Sequence, residues 1–313
     1  MDCKYRKLSM NIYVVIVTYN PKKWIDKCLA SLRESSIPLI TIVIDNGSTD
    51  GSQDIIKEKY PEIDFIESHE NLGFGRANNI GIKRAYDVGA DYVFLMNQDV
   101  WIEDDTLEKL IASAIQNREY GIISPMHLNG KGDALDYNFS YYASTVYCEN
   151  LFSDIFFNRY ENKIYFLKFV NAAAWLISRK CIENVGGFNP SFFHYGEDDN
   201  YCQRVLHHGF KIGILPTSKI YHDRENRAKN TYLSDYKKVY QRKLISEFSN
   251  PEVTRSVVFE KNKLYKKIVS SALRFKISEV QKAFQKLKMY NSENINFIIK
   301  NRELSKIKGK TFL

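Results

Sequence analysis

The first hundred residues alternate between short apolar runs rich in β-branched side chains and stretches with helical spacing. The strand-like runs cover residues 12–17, 40–44, 63–67 and 92–96, and the helix-like stretches between them cover residues 24–35, 52–59 and 77–88. Continuous apolar runs joined by helices are typical of strands buried on both faces of a sheet. The pattern therefore predicts an α/β fold with a mostly parallel central sheet flanked by helices. In such sheets, ligands bind beyond the carboxyl ends of the strands.

The rest of the chain is less regular. Residues 104–117 and 197–208 fit helices, and residues 211–215 fit a late strand after the apolar run 170–177. Residues 127–165 lose periodicity and are rich in Tyr, Phe and Asn, which predicts a long loop or an inserted strand pair that carries specificity. We predict one domain over residues 1–245, with one half to about residue 100 and a second half over residues 101–245.

The basic excess of the chain lies in its last 68 residues. Residues 246–313 hold 15 Lys and Arg against 6 Asp and Glu, whereas the preceding residues hold 30 against 31. The main body is therefore not a nucleic-acid binder by charge. We predict a helical tail over residues 246–313, with one apolar stripe along Leu273, Ile277, Val280, Phe284 and Leu287.

This tail has two interpretations. Its stripe can pack against the body or a second subunit of a homo-oligomer, with the lysines as a solvated face. Alternatively, it can bind peripherally to an anionic membrane surface, which is weakly favoured because the basic excess is confined to the tail.

The five cysteines predict reduced thiols in the cytoplasm. Their number is odd and no two are closer than 21 positions, which excludes a CxxC zinc or redox site. No apolar run reaches the roughly 18 residues of a membrane-spanning helix. The apolar run at 12–17 leads into Thr18-Tyr19-Asn20 without a small-residue cleavage site, so we interpret it as a strand and not as an export signal.

Polar clusters follow three of the predicted strands. They are Thr18-Tyr19-Asn20, Asp45-Asn46-Gly47-Ser48 and Asn97-Gln98-Asp99. A carboxylate just past a buried strand is well placed to bind a ligand or a hard cation, although it can equally cap a following helix.

Two further clusters carry chemistry. The glycine-rich stretch 71–81 includes Arg76, which can pair with a phosphate, but it does not follow the first strand and is not a GxGxxG motif, so a dehydrogenase is disfavoured. The acidic run Glu197-Asp198-Asp199 follows the aromatic run 192–195. Apolar walls raise a carboxylate's pKa toward that of a useful base, and aromatic rings suit a sugar; the alternative is that the three acids complement a helix dipole.

Six segments in order resemble the glycosyltransferase family 2 enzymes of the GT-A fold, and most of all the bacterial rhamnosyltransferase-like members that build O-antigens and capsules. Five of them are VVIVTYN (14–20), VIDNGSTDGS (43–52), NLGFGRANNIGI (71–82), LMNQDV (95–100) and GGFNPSFFHYGEDDNYCQR (186–204), and the sixth is the late histidine His222. The tail has no part in the resemblance.

The resemblance implies a role for each matching position. The residues implied to bind the nucleotide sugar are Thr18, Tyr19, Asn20, Asp45, Asn46, Asn71, Gly73, Arg76, Asn97 and Gln98. Asp99 and His222 are implied to hold a divalent metal, Mn²⁺ or Mg²⁺, and Asp198 is implied to be the catalytic base. We expect the acceptor to contact Trp175, His194 and Glu197. Asn97 stands where the family has the first Asp of its DxD element, and an amide oxygen is a poorer ligand for a hard cation.

The function that follows is an inverting transfer of sugar from a nucleoside-diphosphate sugar to a saccharide or lipid-linked saccharide acceptor. dTDP-rhamnose is the first expectation for the donor, and UDP-hexoses stay open. Two alternatives remain: a sugar-nucleotide nucleotidyltransferase, which usually has a glycine-rich loop after the first strand, and a non-catalytic carbohydrate-binding protein on the same fold.

Overall fold

The computed structural model describes residues 10–161, 163–224, 236–254, 256–291 and 294–313. Its strands are β1 Ile12–Thr18, β2 Ile40–Asp45, β3 Asp64–Glu67, β4 Tyr92–Asn97, β5 Val100–Ile102, β6 Tyr120–Asn129, β7 Tyr165–Phe166, β8 Ala174–Ser178 and β9 Lys211–His222. Its helices are α1 Ile25–Arg33, α2 Ser52–Lys59, α3 Phe74–Asp87, α4 Thr106–Gln116, α5 Tyr137–Tyr142, α6 Leu151–Phe156, α7 Arg179–Val185, α8 Glu197–His207, α9 Tyr236–Ser249, α10 Val257–Leu273, α11 Ile277–Tyr290 and α12 Asn294–Ser305.

The strands form one sheet in the order β3-β2-β1-β4-β8-β6-β9-β5, with β7 paired to β9. The first four strands are parallel, with Thr18 of β1 opposite Asp45 of β2 and Val17 opposite Asn97 of β4. The α/β fold class is confirmed. The parallel arrangement applies to this half, whereas the second half is mixed because β8 runs antiparallel to both β4 and β6.

Alternate side chains of the central strands fill two cores, one on each face of the sheet. Val15 and Ile44 point into the core under α3, and Val14 and Ile16 point into the core under α1. Helix α3 approaches the sheet through Gly81, where an added Cβ would lie 2.4 Å from Val15 Cγ1. This contact explains a glycine in the middle of a helix, where it otherwise costs stability.

Residues 127–165 differ from the expectation of a loop or an inserted strand pair. Strand β6 continues to Asn129, and the short helices α5 and α6 follow it. Strand β9 also continues beyond the predicted end at Leu215. Its pairing with β6 shifts register there, because Pro125 lies opposite Leu215 whereas the next residue, Met126, lies opposite Lys219. That shift accommodates Pro216, which has no N–H to donate to a ladder.

The tail packs against the body, but its predicted single stripe is wrong. Helix α10 ends at Leu273 and Phe275 adopts a φ of 55°, so Leu273 and Ile277 belong to different helices. Leu287 is buried, whereas Leu273, Ile277 and Phe284 are exposed. Helix α9 crosses position 245, and the division into residues 1–245 and 246–313 stays a prediction.

Among the described residues, none of the helices combines the length and the apolar character needed to cross a bilayer.

Candidate functional site

A pocket of about 690 Å³ opens at the carboxyl ends of the parallel strands. Most of the residues predicted from the sequence line it: Tyr19, Asn46, Asn71, Gly73, Asn97, Gln98, Asp99, His194, Glu197 and Asp198. Parallel register brings the strand ends together, and the loops after β1, β2 and β4 therefore supply one wall of a common pocket.

Asp45 lies beneath this pocket and organises its floor. Its carboxylate is fully buried and accepts hydrogen bonds from Thr18 Oγ1 at 3.1 Å, from Gln53 Nε2 at 2.7 Å, and from both the amide and the hydroxyl of Ser48. Asn20 ties the same two loops together, since its Oδ1 accepts from the Thr49 amide at 2.8 Å. Thr18, Asn20 and Asp45 do not line the pocket, and their direct contact with a nucleotide stays a prediction.

Asn46 and Asn71 join the second loop to the glycine-rich segment. Asn46 Nδ2 donates to Asn71 Oδ1 at 2.9 Å, and Asn46 Oδ1 accepts from the Leu72 amide at 2.8 Å. Gly73 follows with a φ of 81°, and an added Cβ would lie 2.2 Å from the carbonyl oxygen of Phe193. A glycine is therefore required for this segment to meet the aromatic run 192–195.

Gln98 holds the turn that carries Asp99. Its side-chain oxygen accepts from the Tyr19 amide at 2.6 Å, and its amide group donates back to the Tyr19 carbonyl at 3.2 Å. The two bonds fix the turn after β4 against the loop after β1.

Asp99 lines the pocket and contacts His222 at the end of β9, and the role of the two as metal ligands stays a prediction. His222 Nε2 lies 3.4 Å from Asp99 Oδ1, and both side chains are buried. On the other side of the ring, His222 Nδ1 faces Asp136 Oδ2 at 3.5 Å and Arg224 Nε at 3.3 Å. Sequence reasoning missed Asp136 and Arg224. In the sequence, Asp136 has the features of an ordinary N-cap of α5. His222 reaches Asp99 only because β5 pairs with β9, and this pairing cannot be recognised from local sequence.

This pair suits a metal that takes its other ligands from a substrate. Within the described ranges, His, Cys, Asp and Glu side chains form no group of three that could hold a metal ion. One carboxylate, with diphosphate oxygens and water completing the shell, matches how Mg²⁺ and similar ions bind nucleotides. The imidazole is a nitrogen ligand, which suits a transition metal better than Mg²⁺.

Asp198 also lines this pocket, at the start of α8. The chain reaches it through Tyr195 and Gly196, whose φ values of 70° and 99° turn the backbone sharply before the helix. Burial raises the pKa of the Asp198 carboxyl, and hydrogen bonds from the amides of Asp199 and Ala172 oppose that rise. Burial, followed by the charge of Asp198, likewise raises the pKa of Glu197. The site therefore contains a carboxylate with increased proton affinity.

One of the sequence predictions needs correction. Trp175 is fully buried in the core, where its ring stacks on Phe188, so it cannot contact an acceptor. Arg76 is exposed on α3 between the buried Gly75 and Ala77 and lines a neighbouring cavity, and its contact with the nucleotide stays a prediction.

The ionisation of Asp199 lowers stability. Burial, together with the charge of Asp198, raises the pKa of Asp199 to about 6, above its ordinary value of 3.8. The folded protein therefore binds more protons between these values, and its stability falls as the pH rises from 3.8 to 6.

We expect Asp199→Asn to increase the free energy of unfolding at pH 7.5 by about 1 kcal/mol, which allows for solvent screening of a half-buried group. The gain should vanish below pH 4, as measured by urea unfolding across the pH range. Asp54→Asn, in the first turn of α2 and exposed, is the matched control and should give no gain. A gain that is the same at pH 3.5 and pH 7.5 would contradict the electrostatic explanation.

Comparisons with known proteins identify the family of the chain. The family model of glycosyl transferase family 2 matches residues 13–186, and a model described as the N-terminal domain of galactosyltransferase matches residues 156–226. A dTDP-rhamnosyl transferase, RfbF, of Shigella flexneri is 26% identical over 217 residues, which cover 69% of this chain and 70% of that protein. An N-acetylglucosaminyl-diphospho-decaprenol L-rhamnosyltransferase of Mycobacterium tuberculosis is 25% identical over 236 residues, covering 67% and 75%.

The fold is similar to that of TarS from S. aureus. The crystal structure of TarS residues 1–349 in complex with UDP-GlcNAc superimposes with a TM-score of 0.57 at 14% identity, covering 95% of this chain and 88% of that one. The family model covers more than half of the chain. The chain therefore belongs to glycosyl transferase family 2 and is a glycosyltransferase.

Proposed function

We propose that the protein is an inverting glycosyltransferase that moves a sugar from a nucleoside-diphosphate sugar to a hydroxyl of a saccharide or lipid-linked saccharide in surface polysaccharide synthesis. The observation that carries the proposal is one pocket lined by both Asp99 and Asp198. A protein that only binds carbohydrate needs neither a base nor a cation-binding carboxylate in its site.

dTDP-rhamnose is the donor we favour. Two relatives, each covering about two thirds of the chain, are named as rhamnosyl transferases, and one of these names specifies dTDP-rhamnosyl transfer. A UDP-hexose is the second candidate. Tyr19, Asn46, Asn71 and Asn97 offer hydroxyl and amide groups to the nucleotide from the strand ends.

Asp99 and His222 would hold Mn²⁺ or Mg²⁺ against the diphosphate. Bound there, the cation would offset the negative charge that develops on the leaving nucleoside diphosphate. Gln98 keeps the Asp99 turn in place through its bonds to Tyr19, and Asp136 and Arg224 orient the His222 ring from behind. Asn97 supplies an amide where a second carboxylate would bind the cation more strongly.

Asp198 would act on the acceptor. Its carboxylate takes the proton of an acceptor hydroxyl while that oxygen bonds to the anomeric carbon on the face opposite the diphosphate. The bond between that carbon and the phosphate oxygen breaks, and the nucleoside diphosphate leaves with its electron pair. A single displacement inverts the anomeric configuration, and the raised pKa of Asp198 suits a group that must accept a proton.

A donor screen tests the reaction class. Purified protein with Mn²⁺ or Mg²⁺ is mixed with dTDP-, UDP- and GDP-sugars, with and without saccharide acceptors, and free nucleoside diphosphate is measured. We expect release from one donor, with loss of release in EDTA and in Asp99→Ala. If no donor reacts and calorimetry detects no binding of any nucleotide, the non-catalytic carbohydrate-binding alternative replaces this proposal.

Asp198→Asn should reduce turnover by about 10²–10⁴-fold, because the amide cannot accept the proton. The affinity for the donor, measured by calorimetry, should stay within about twofold, since Asp198 faces the acceptor. Asp199→Asn, one residue further along α8 and outside the pocket lining, is the control and should retain turnover. Near-normal turnover of Asp198→Asn would rule out its role as the base.

We also propose a cytoplasmic protein that binds peripherally to an anionic membrane through the turn between α10 and α11. Leu273, Phe275 and Ile277 at this turn are 77%, 90% and 71% exposed. Lys267, Lys276 and Lys282 lie close to them in sequence and are exposed. Apolar side chains that insert beside lysines favour an anionic leaflet.

Replacing Leu273, Phe275 and Ile277 together with Ser should reduce binding to phosphatidylglycerol vesicles at least about tenfold, because each apolar side chain contributes to insertion. Co-sedimentation measures the bound fraction. Val258 and Phe259, equally apolar and exposed at the other end of α10, provide the control double Ser variant. Binding that survives the triple substitution would overturn the membrane proposal. If the wild-type protein is a dimer and this variant is a monomer, the exposed turn contacts a second copy of the chain and not a membrane.

A further inference from the structure

A second cavity lies beside the strand-end pocket and is larger, at about 840 Å³. One wall comes from the body, through residues 190–195 and Arg76. The other comes from α9, through residues 240–245, and from the tail, through residues 285–289 of α11 and 295–298 of α12. The tail therefore completes a cavity that the preceding residues alone do not enclose.

The two cavities share one partition. Phe193, His194, Tyr195 and Arg242 line both of them. Glu197 and Asp198 follow this partition closely in sequence and line the strand-end pocket, so the partition separates the second cavity from the pocket that contains the proposed base. A ligand in the second cavity can extend past the partition toward the carboxylate of Asp198.

The Lys, Arg, Asp and Glu residues that line the second cavity are all basic. Arg76, Arg242, Lys286 and Lys288 line it, and no Asp or Glu is found among its described lining residues. In the described part of the chain, none of these four side chains forms an ion pair with a carboxylate. Lys286 instead lies over the ring of Tyr240, with its Nζ 4.4 Å from the ring centre. Four cations gathered around one cavity repel one another unless an anion binds among them.

The cavity also offers apolar contact. Phe193 is 63% exposed and Phe297 is 45% exposed, and both face this space. An aromatic ring beside a cation suits a ligand that carries a sugar ring next to a phosphate.

We infer that the second cavity binds the phosphoryl group of the acceptor, which is a glycosyl phosphate or diphosphate whose sugar extends across the partition to Asp198. The inference rests on the proposed function, in which the sugar is transferred to an acceptor hydroxyl beside Asp198. It assigns a role in acceptor recognition to α9, through Arg242, and to the tail, through Lys286 and Lys288.

The test is calorimetry on the full chain with saturating dTDP or UDP and Mg²⁺, so that the strand-end pocket is occupied. Under these conditions, we expect N-acetylglucosamine 1-phosphate and inorganic pyrophosphate each to bind at one site. Lys286→Gln and Arg242→Gln should each weaken binding about tenfold or more, because a charged hydrogen bond is lost. Lys282→Gln, one turn earlier on α11 and outside the lining, is the matched control and should bind normally.

Three results would overturn the inference. They are no binding of either probe, equal binding by wild type and both cavity variants, and tighter binding of glycerol 3-phosphate than of the sugar phosphate, which would indicate a lipid headgroup. These results are separate from the donor screen. An enzyme that releases nucleotide but binds neither probe loses only this inference, whereas a protein that binds the probes but no nucleotide sugar loses the proposed function.

Discussion

The parallel register of β1, β2 and β4 is the constraint on which the site depends. It brings the ends of three buried strands to one edge of the sheet, where the buried carboxylate of Asp45 ties two of the loops together. A buried carboxylate costs much free energy unless it is hydrogen-bonded, so its partners are held firmly in one arrangement. The polar groups that line the pocket are therefore positioned before any ligand arrives, which is what both binding and catalysis require.

The body and the tail are joined through the segment that separates the two cavities. Asn301 Nδ2 donates to Ser191 Oγ at 2.9 Å, and Asn200 Nδ2 of α8 donates to the Ser249 carbonyl at 3.0 Å. On the other side, Gly73 presses against the Phe193 carbonyl. The partition is therefore fixed on one side by the contact with Gly73, and the residues that flank it are fixed by hydrogen bonds to the tail. The tail thus contributes to the shape of the pocket that contains Asp198.

Local patterns predicted much of this structure, and contacts between distant segments account for what was missed. Helix α2 and the first strands follow from local periodicity, which depends only on residues close in sequence. The family resemblance implied that Asp99 and Asp198 belong to one site, and both line the same pocket. The burial of Trp175 could not be predicted, since Phe188 and the rest of its surroundings come from other elements. Arg242 belongs to a segment that the motifs do not reach. The apolar residues around Phe275 keep a helical spacing, although the helix breaks there. The spacing of apolar residues does not show where the backbone changes direction, so the break could not be predicted from it.

Arg242 connects the chemistry of the two cavities. Burial and the charge of Asp198 raise the pKa of Glu197, and the positive charge of Arg242 opposes that rise. Arg242 lines both cavities, so an anion bound beside it in the second cavity would offset part of the positive charge that acts on Glu197 in the strand-end pocket. The proposed acceptor site and the pocket that contains Asp198 are therefore linked by one shared cation.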